Sequence, residues 1–360
     1  IPAAARRMGI PCLFTVHNIH THHLSLAQIE DAGIDAAEFW GNLYFTRVPY
    51  NYEESRNSNP IDMQASGVFA SHFINTVSPT FLEEIVNGWH DFIPKALREE
   101  IRNKHRAGCA AGILNAPDAS DNPATDHNLD KNYDAASHRE AKRANKLAFQ
   151  RKVGLEENPD VPLFFWPSRL DPAQKGPQLL TDILYRFMSR HWKQRVQVAV
   201  VANGVYQQPF YDILKFHDLY GRLAVCDFNQ SLSQLGFAAS DFTLVPSLFE
   251  PCGLPQMVGQ IYGSLPVVHD TGGLHDTVEH LDVAREKGNG FVFKIYDSRG
   301  LEWAMDKAMD FFKQPAEERE KTVARVMREG VARFNHETCA KTYIDIYEKM
   351  LKRPLVRSFE

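Results

Sequence analysis

Cysteine is scarce in this sequence, and long apolar runs are missing. The five cysteines, Cys12, Cys109, Cys226, Cys252 and Cys339, are odd in number, widely scattered and form no Cys-x-x-Cys pair. That pattern excludes a disulfide framework or a thiolate zinc site and suits a reducing cytosol. No segment approaches the ~20 consecutive apolar residues that a membrane span requires. Positive charge is not in excess either. A formal net charge of -5 argues against nucleic acid as a partner, because phosphate backbones are held by clustered lysine and arginine. An Asp-x-Asp pair that could hold a divalent ion is missing, as are low-complexity tracts and any repeat beyond a recurring strand–turn–helix unit. What remains is an ordinary globular composition, 44% hydrophobic and 24% charged, in 360 residues, enough for two domains with real cores.

The most informative stretch is 245–274, VPSLFEPCGLPQMVGQIYGSLPVVHDTGGL. A buried-strand run at 242–245 is broken by Pro246, and Glu250 stands just before Pro251–Cys252–Gly253. An apolar helix-length segment follows, then a strand at 265–268 and the turn Thr271–Gly272–Gly273, which opens a helix at 274–281. Units of this kind hold ligands at the carboxyl edge of parallel α/β sheets. Helix N-termini with adjacent glycines bind phosphate, because free N–H groups and the dipole face the anion and no Cβ blocks its approach.

The same alternation runs through the chain. Apolar runs at 12–16, 72–77, 162–166, 196–201, 223–227 and 289–293 read as further strands. Stretches at 61–71, 81–88, 135–154, 177–190, 231–239, 298–309, 316–333 and 334–350 read as helices. Most charges of the 135–154 helix are expected to lie on a solvated face, and Ser78 or Thr80 to cap the helix at 81–88. The first strand delivers His17 at its carboxyl end. His20, His22 and His23 follow, but without matching carboxylates they read as a solvated or acceptor-facing loop rather than a metal site. Phe39, Trp40, Tyr44, Phe45, Tyr50 and Tyr52 leave two readings open, a sugar-stacking platform or core and loop packing. After the strand at 162–166 come Arg169 and Lys175, a bidentate cation and a mobile point charge suited to phosphate.

The blocks FEPCGL, YGSLPVV and TGGLHDTV, in this order and spacing, resemble the bacterial glycogen synthases and plant starch synthases. The resemblance covers nearly the whole chain. It implies an α/β protein of two Rossmann-like domains facing across a cleft, the GT-B arrangement. Residues 1–134 form a partial acceptor-side domain, 135–333 the nucleotide-sugar domain, and 334–360 a helix crossing back onto the first. It further implies a retaining glucosyltransferase moving glucose from ADP-glucose to the non-reducing end of an α-1,4-glucan. Such an enzyme is cytoplasmic, needs no metal or other cofactor, and has neither nucleic acid nor membrane as partner. By position in the family's motifs, Glu250 contacts the donor sugar's hydroxyls, while Arg169 and Lys175 hold the diphosphate. Thr271, Gly272 and Gly273 cradle the distal phosphate, and Cys252 and Gly253 allow close backbone approach. Phe228 lies against adenine, Asn115 lies near the donor glucose, and His17 reaches the sugar.

This chain also departs from the family's pattern. The Asn-Gly turn reads Asn115–Ala116–Pro117, and Arg169 and Lys175 are six apart, one more than usual. Leu248 stands for an arginine, Pro255 for a threonine, and Val258 where tyrosine is frequent. These changes keep two alternatives open: a transferase of the same fold with another donor or acceptor, and a non-catalytic glucan- or nucleotide-binding relative. The Lys-x-Gly-Gly loop and Asp-Trp-His motif of the family do not occur in these 360 residues, and Ile1 begins mid-element. The expectation is therefore an incomplete N-terminal domain, and weak or no activity from these residues alone. Oligomeric state is not written in the sequence.

Overall fold

The central strands of the larger sheet, at 163–166, 197–201, 242–245 and 265–269, are short runs buried on both faces, as parallel sheets covered by helices require. The computed structural model describes residues 1–352. It divides into two units, residues 1–114 with the chain from 340 onward, and residues 115–339. The first boundary falls ahead of the expected 134/135 because the intervening segment is fastened to the second unit. Tyr133 OH donates to Tyr262 O at 2.8 Å, Tyr262 OH to Asp126 Oδ2 at 2.7 Å, and Asn128 Nδ2 to Gln234 Oε1 at 2.7 Å.

The first unit holds β1 (Leu13–Val16), β2 (His23–Leu24), β3 (Ile61–Asp62), β4 (Phe73–Thr76) and β5 (Ala110–Gly112). A parallel sheet runs in the order β1-β4-β5, while β2 and β3 make a small antiparallel ladder. That ladder corrects the helix expected at 61–71. Ile61 and Asp62 are strand, the helix is Met63–Ala70, and Asp62 Oδ1 caps it by accepting from Ala65 N at 2.8 Å. Ser78 caps the helix Pro79–Asn87, its Oγ accepting from Phe81 N at 2.9 Å. The aromatic set of this unit is mostly packing. Phe45 is core, Phe39, Trp40 and Tyr52 lie against it, and Tyr44 stacks on Phe69 at 4.8 Å. Tyr50 alone of the six is left in solvent, 88% exposed. The helix His336–Leu351 contacts this unit from Ala340 on: Asn75 Nδ2 donates to Tyr343 OH at 3.0 Å and Lys349 Nζ to Gly108 O at 2.7 Å. The end of the segment expected at 334–360 lies outside the described residues.

The second unit holds β6 (Leu163–Trp166), β7 (Gln197–Val201), β8 (Leu223–Cys226), β9 (Phe242–Val245), β10 (Leu265–His269) and β11 (Phe291–Phe293). They form one all-parallel sheet ordered β8-β7-β6-β9-β10-β11. Counted from its own first strand, this is the doubly wound 3-2-1-4-5-6 order, in which the winding reverses between the first and fourth strands. Here the reversal lies between β6 and β9, where Phe164 pairs with Phe242 and Phe165 with Thr243. Connections leave β6 and β9 in opposite directions, which opens a crevice at their carboxyl ends.

Helices cover both faces of this sheet. Pro177–Arg190 starts at Gly176, whose φ of +73° turns the chain; a Cβ there would stand 2.4 Å from Pro246 O. Its fully buried face, Leu180, Ile183, Leu184 and Phe187, follows the helical period and packs in one core with Leu301, Ala304, Met305 and Ala308 of the helix Ser298–Phe312. Each of the leucine, isoleucine, methionine and phenylalanine side chains contributes roughly 1.5–3 kcal/mol on burial. Two expected helices are shorter than read. The one at 274–281 is Gly272–Thr277, and the one at 135–154 is His138–Val153, because Asp134 Oδ1 accepts from Ala136 N and Ser137 N in a preceding turn. Its charges are not all solvated: Lys142, Asn145, Lys146 and Gln150 form a buried polar stripe. The helices Lys95–Arg106 and Gln207–Phe216 were not anticipated, since each buries only one or two apolar residues. Among the described residues no helix is long and apolar enough to cross a membrane.

Lys142 is buried with no carboxylate on its ammonium. Its Nζ donates to Ala238 O at 3.0 Å, Ser240 O at 2.9 Å and Tyr262 O at 3.0 Å, capping the carbonyl ends of the helices Gln230–Ala239 and Pro255–Ile261. Burial, partly opposed by Asp241, pulls its pKa down to about 7. The unfolded chain keeps that proton up to about pH 10.4. Between these values the unfolded state binds more protons, so this group makes stability rise with pH. From pH 7.5 to 9.5 the unfolding free energy of the unmutated protein should therefore climb relative to Lys142→Met by up to about 1.4 kcal/mol per pH unit. Urea titrations check this, and parallel profiles for the two proteins contradict it.

Candidate active site

Several of the residues singled out from the sequence lie at the carboxyl ends of β6, β9 and β10. Where β6 ends, Trp166 Nε1 donates to Ser168 O at 2.6 Å and fixes the exit of the next loop. Lys175 N and Gln174 N both donate to Asp171 O, at 2.7 and 3.3 Å, a tight turn that absorbs the extra residue between Arg169 and Lys175. The loop after β9 is laced to this one. Leu248 N donates to Gln174 O at 2.8 Å, and Gln174 Nε2 to Phe249 O at 3.4 Å. Lys175 and Glu250 meet as a result, Nζ to Oε2 at 2.5 Å, with side chains only 13% and 7% exposed. Ser247 Oγ donates to the same oxygen at 2.9 Å. Among the described residues no group donates to Oε1, which leaves that oxygen available to a ligand's hydroxyls.

The turn after β10 is fastened to the same loop, for Gly273 N donates to Glu250 O at 2.9 Å. The approach is so close that a Cβ on Gly273 would stand 1.9 Å from Cys252 O. Thr271 is buried, Gly272 has a φ of +44°, and together they open the helix Gly272–Thr277. Gln256 ties this corner together, its Nε2 donating to Gly253 O at 2.7 Å, Cys252 O at 3.1 Å and Thr277 Oγ1 at 3.1 Å. Burial pushes the Cys252 thiol up to about 12, against a backbone N–H that Asn115 donates to it. Cys252 is thus a neutral packing thiol rather than a nucleophile, and Asn115 lies beside it.

Lys175, Glu250, Cys252, Gly253, Thr271, Gly272, Gly273 and Asn115 are therefore gathered at one edge of one sheet. Arg169 sits on the same loop as Lys175; its side chain is exposed and no described residue pairs with it. Phe228 follows the edge strand β8, 47% exposed, with its backbone N on Asn203 Oδ1 at 2.8 Å. His17 follows β1 in the first unit and is exposed. Among the described residues no group of three or more His, Cys, Asp or Glu side chains could hold a metal ion. Sequence reasoning passed over Ser247, Gln174, Gln256 and His269, whose Nδ1 lies 2.9 Å from Ser247 O. Ser247 was within reach of it, standing two residues past a strand end beside the glutamate already chosen.

A buried ion pair is strongly destabilised by removing one partner, which leaves the other charge uncompensated. Lys175→Ala should lower stability by about 3–5 kcal/mol. Adding Glu250→Gln to that variant should recover at least about 1 kcal/mol, because the orphaned charge is removed with it. Urea unfolding of the two single variants and the double variant measures the coupling; strict additivity would mean that the two groups do not sense each other.

Residues 1–95 match the family model of the starch synthase catalytic domain. The glycogen synthase of Geobacillus stearothermophilus is 32% identical over 364 residues, covering 95% of this chain and 66% of that protein. That of Thermotoga maritima is 33% identical over 355 residues, with the same shares. The chain thus spans just under two thirds of the length of these relatives. Among solved structures, the catalytic domain of starch synthase IV from Arabidopsis thaliana bound to ADP and acarbose is similar with a TM-score of 0.79 at 27% identity, over 96% of this chain and 68% of that one. HepE of Anabaena in complex with UDP and glucose, with a TM-score of 0.56 at 15% identity over 97% and 74%, is alike in fold alone. Sequence likeness over nearly the entire chain and the doubly wound sheet agree: the chain belongs to the glycogen synthase and starch synthase family.

Proposed function

We propose that this chain is the nucleotide-sugar-handling part of a retaining glucosyltransferase, which moves glucose from ADP-glucose to the non-reducing end of an α-1,4-glucan. The observation that carries this reading is the Lys175–Glu250 pair at the reversal point of the sheet, with the Gly272–Gly273 helix start fastened to Glu250. Breaking the bond between the anomeric carbon and phosphate puts negative charge on the departing diphosphate. Arg169 and Lys175 supply the cations that stabilise it, and the turn Thr271–Gly272–Gly273 gives the distal phosphate close approach to backbone at a helix start. Glu250 accepts from vicinal sugar hydroxyls, its Oε1 directly and its Oε2 as Lys175 turns to phosphate. The acceptor hydroxyl adds to the anomeric carbon on the face the diphosphate leaves, and its proton passes to the departing phosphate oxygen. Phe228 offers a ring face to the base, Asn115, Cys252 and Gly253 shape the floor, and His17 is a further sugar-contacting residue by its place at a strand end. Five free thiols suit a cytoplasmic location.

Leu248, Pro255 and Val258, which replace residues usual in the family, favour a second reading, a relative that binds nucleotide or glucan without turnover. Labelled-glucose incorporation into glycogen by the whole protein separates the two. Glu250→Ala should cut transfer by about 10²-fold or more while ADP binding persists; binding of ADP without any transfer by the unmutated protein would leave only the second reading. Lys175→Ala should weaken ADP binding about 10- to 100-fold, the worth of one charge-assisted contact, as read by calorimetry. With UDP-glucose in competition, equal use of the two donors would count against the adenine assignment.

A further inference from the structure

At the opposite, amino edge of the same sheet lies a cavity of about 580 Å³, beside the segment leading into β6 and the first residue of β9. Five lysine and arginine side chains line it against four carboxylates, and the pairings are uneven. Arg143 pairs with Asp160, Lys146 with Asp241 at 2.6 Å, and Arg139 with Glu320 at 2.9 Å, while Glu140 faces Lys131 at 3.6 Å. Among the described residues, two basic side chains of the lining have no carboxylate partner, Lys142 and Arg319. The Lys142 ammonium is held by carbonyls alone. Arg319 Nε is buried and finds no acceptor among the described residues, and its guanidinium lies 4.7 Å from the centroid of the Phe312 ring. Asp160 senses Arg319 at a distance but is bonded to Arg143.

A buried charged donor without an acceptor is costly and calls for an explanation. An anion in the cavity would supply the missing acceptor. The helices His138–Val153 and Ala316–Arg333, of 16 and 18 residues, both begin at the cavity and turn the positive ends of their dipoles toward it. Phe242, Phe311, Phe312 and Val323 give the remaining wall an apolar character suited to the organic part of a small metabolite. We propose that this cavity binds a small phosphomonoester, its phosphate against Arg319 and the start of the helix Ala316–Arg333, its organic part against Phe312. The site is separate from the Lys175–Glu250 edge and stands whether or not that edge transfers glucose.

The experiment is a thermal-shift titration of the whole chain at constant ionic strength, with inorganic phosphate and a hexose monophosphate as probes. Saturating phosphomonoester should raise the melting temperature by about 2–4 °C, at lower concentration than inorganic phosphate. Arg319→Gln should weaken the response at least about tenfold, Arg319→Lys should restore part of it, and Lys175→Ala should leave it intact. No response, an unchanged response in Arg319→Gln, or a loss in Lys175→Ala instead would overturn the proposal. Equal potency of the two probes would overturn the assignment to a phosphomonoester.

Discussion

A lysine and a glutamate from two different loops share one hydrogen bond inside the edge of a sheet, and much of the second unit is arranged so that they can. Neither charge tolerates burial alone. The winding order puts β6 and β9 side by side with their connections leaving in opposite directions, so their exit loops face each other. Backbone hydrogen bonds between Leu248 and Gln174, and between Gly273 and Glu250, then hold three loops in one layer. Two glycines make that layer possible: at Gly176 the backbone is left-handed, and at Gly273 there is no room for a Cβ. The pair is thus a product of topology first and side-chain chemistry second.

Legibility followed the physics of each element. Helix Pro177–Arg190 could be read to the residue because a glycine and a proline mark its start and its apolar residues keep the helical period. Phe242–Val245 was equally plain, three apolar residues and a β-branched threonine stopped by a proline. The glutamate and the lysine were legible as types at strand ends, but their contact was not, since nothing local in sequence relates positions 75 residues apart. Ser247, Gln256 and His269 act through hydrogen bonds to backbone or to one carboxylate oxygen, and such contacts leave no period in a sequence. Asp62 shows the opposite failure: a strand pair formed with a distant segment overrode a local helical pattern.

In the helix His138–Val153 most charges are exposed, as the pattern indicates, but two lysines are not. Its buried face is built largely from lysine, asparagine and glutamine rather than from leucine, each satisfied by a carbonyl or carboxylate of another element. A reading that equates charge with solvent sends these residues outward. Net charge is equally silent about them, for a chain that is acidic overall still lines one edge of a sheet with five basic side chains against four carboxylates. Composition bounds what a protein can do as a whole; it does not say where a cation has been left without a counter-ion.

The fastening of segment 115–134 to the second unit has a practical consequence for anyone excising that unit. A fragment begun at residue 135 loses the carboxylate that accepts from the Tyr262 hydroxyl and the phenol that donates to its carbonyl, although that same carbonyl also caps Lys142. Such a piece exposes a tyrosine meant for the interior and invites aggregation. A fragment begun at residue 115 carries its own plug.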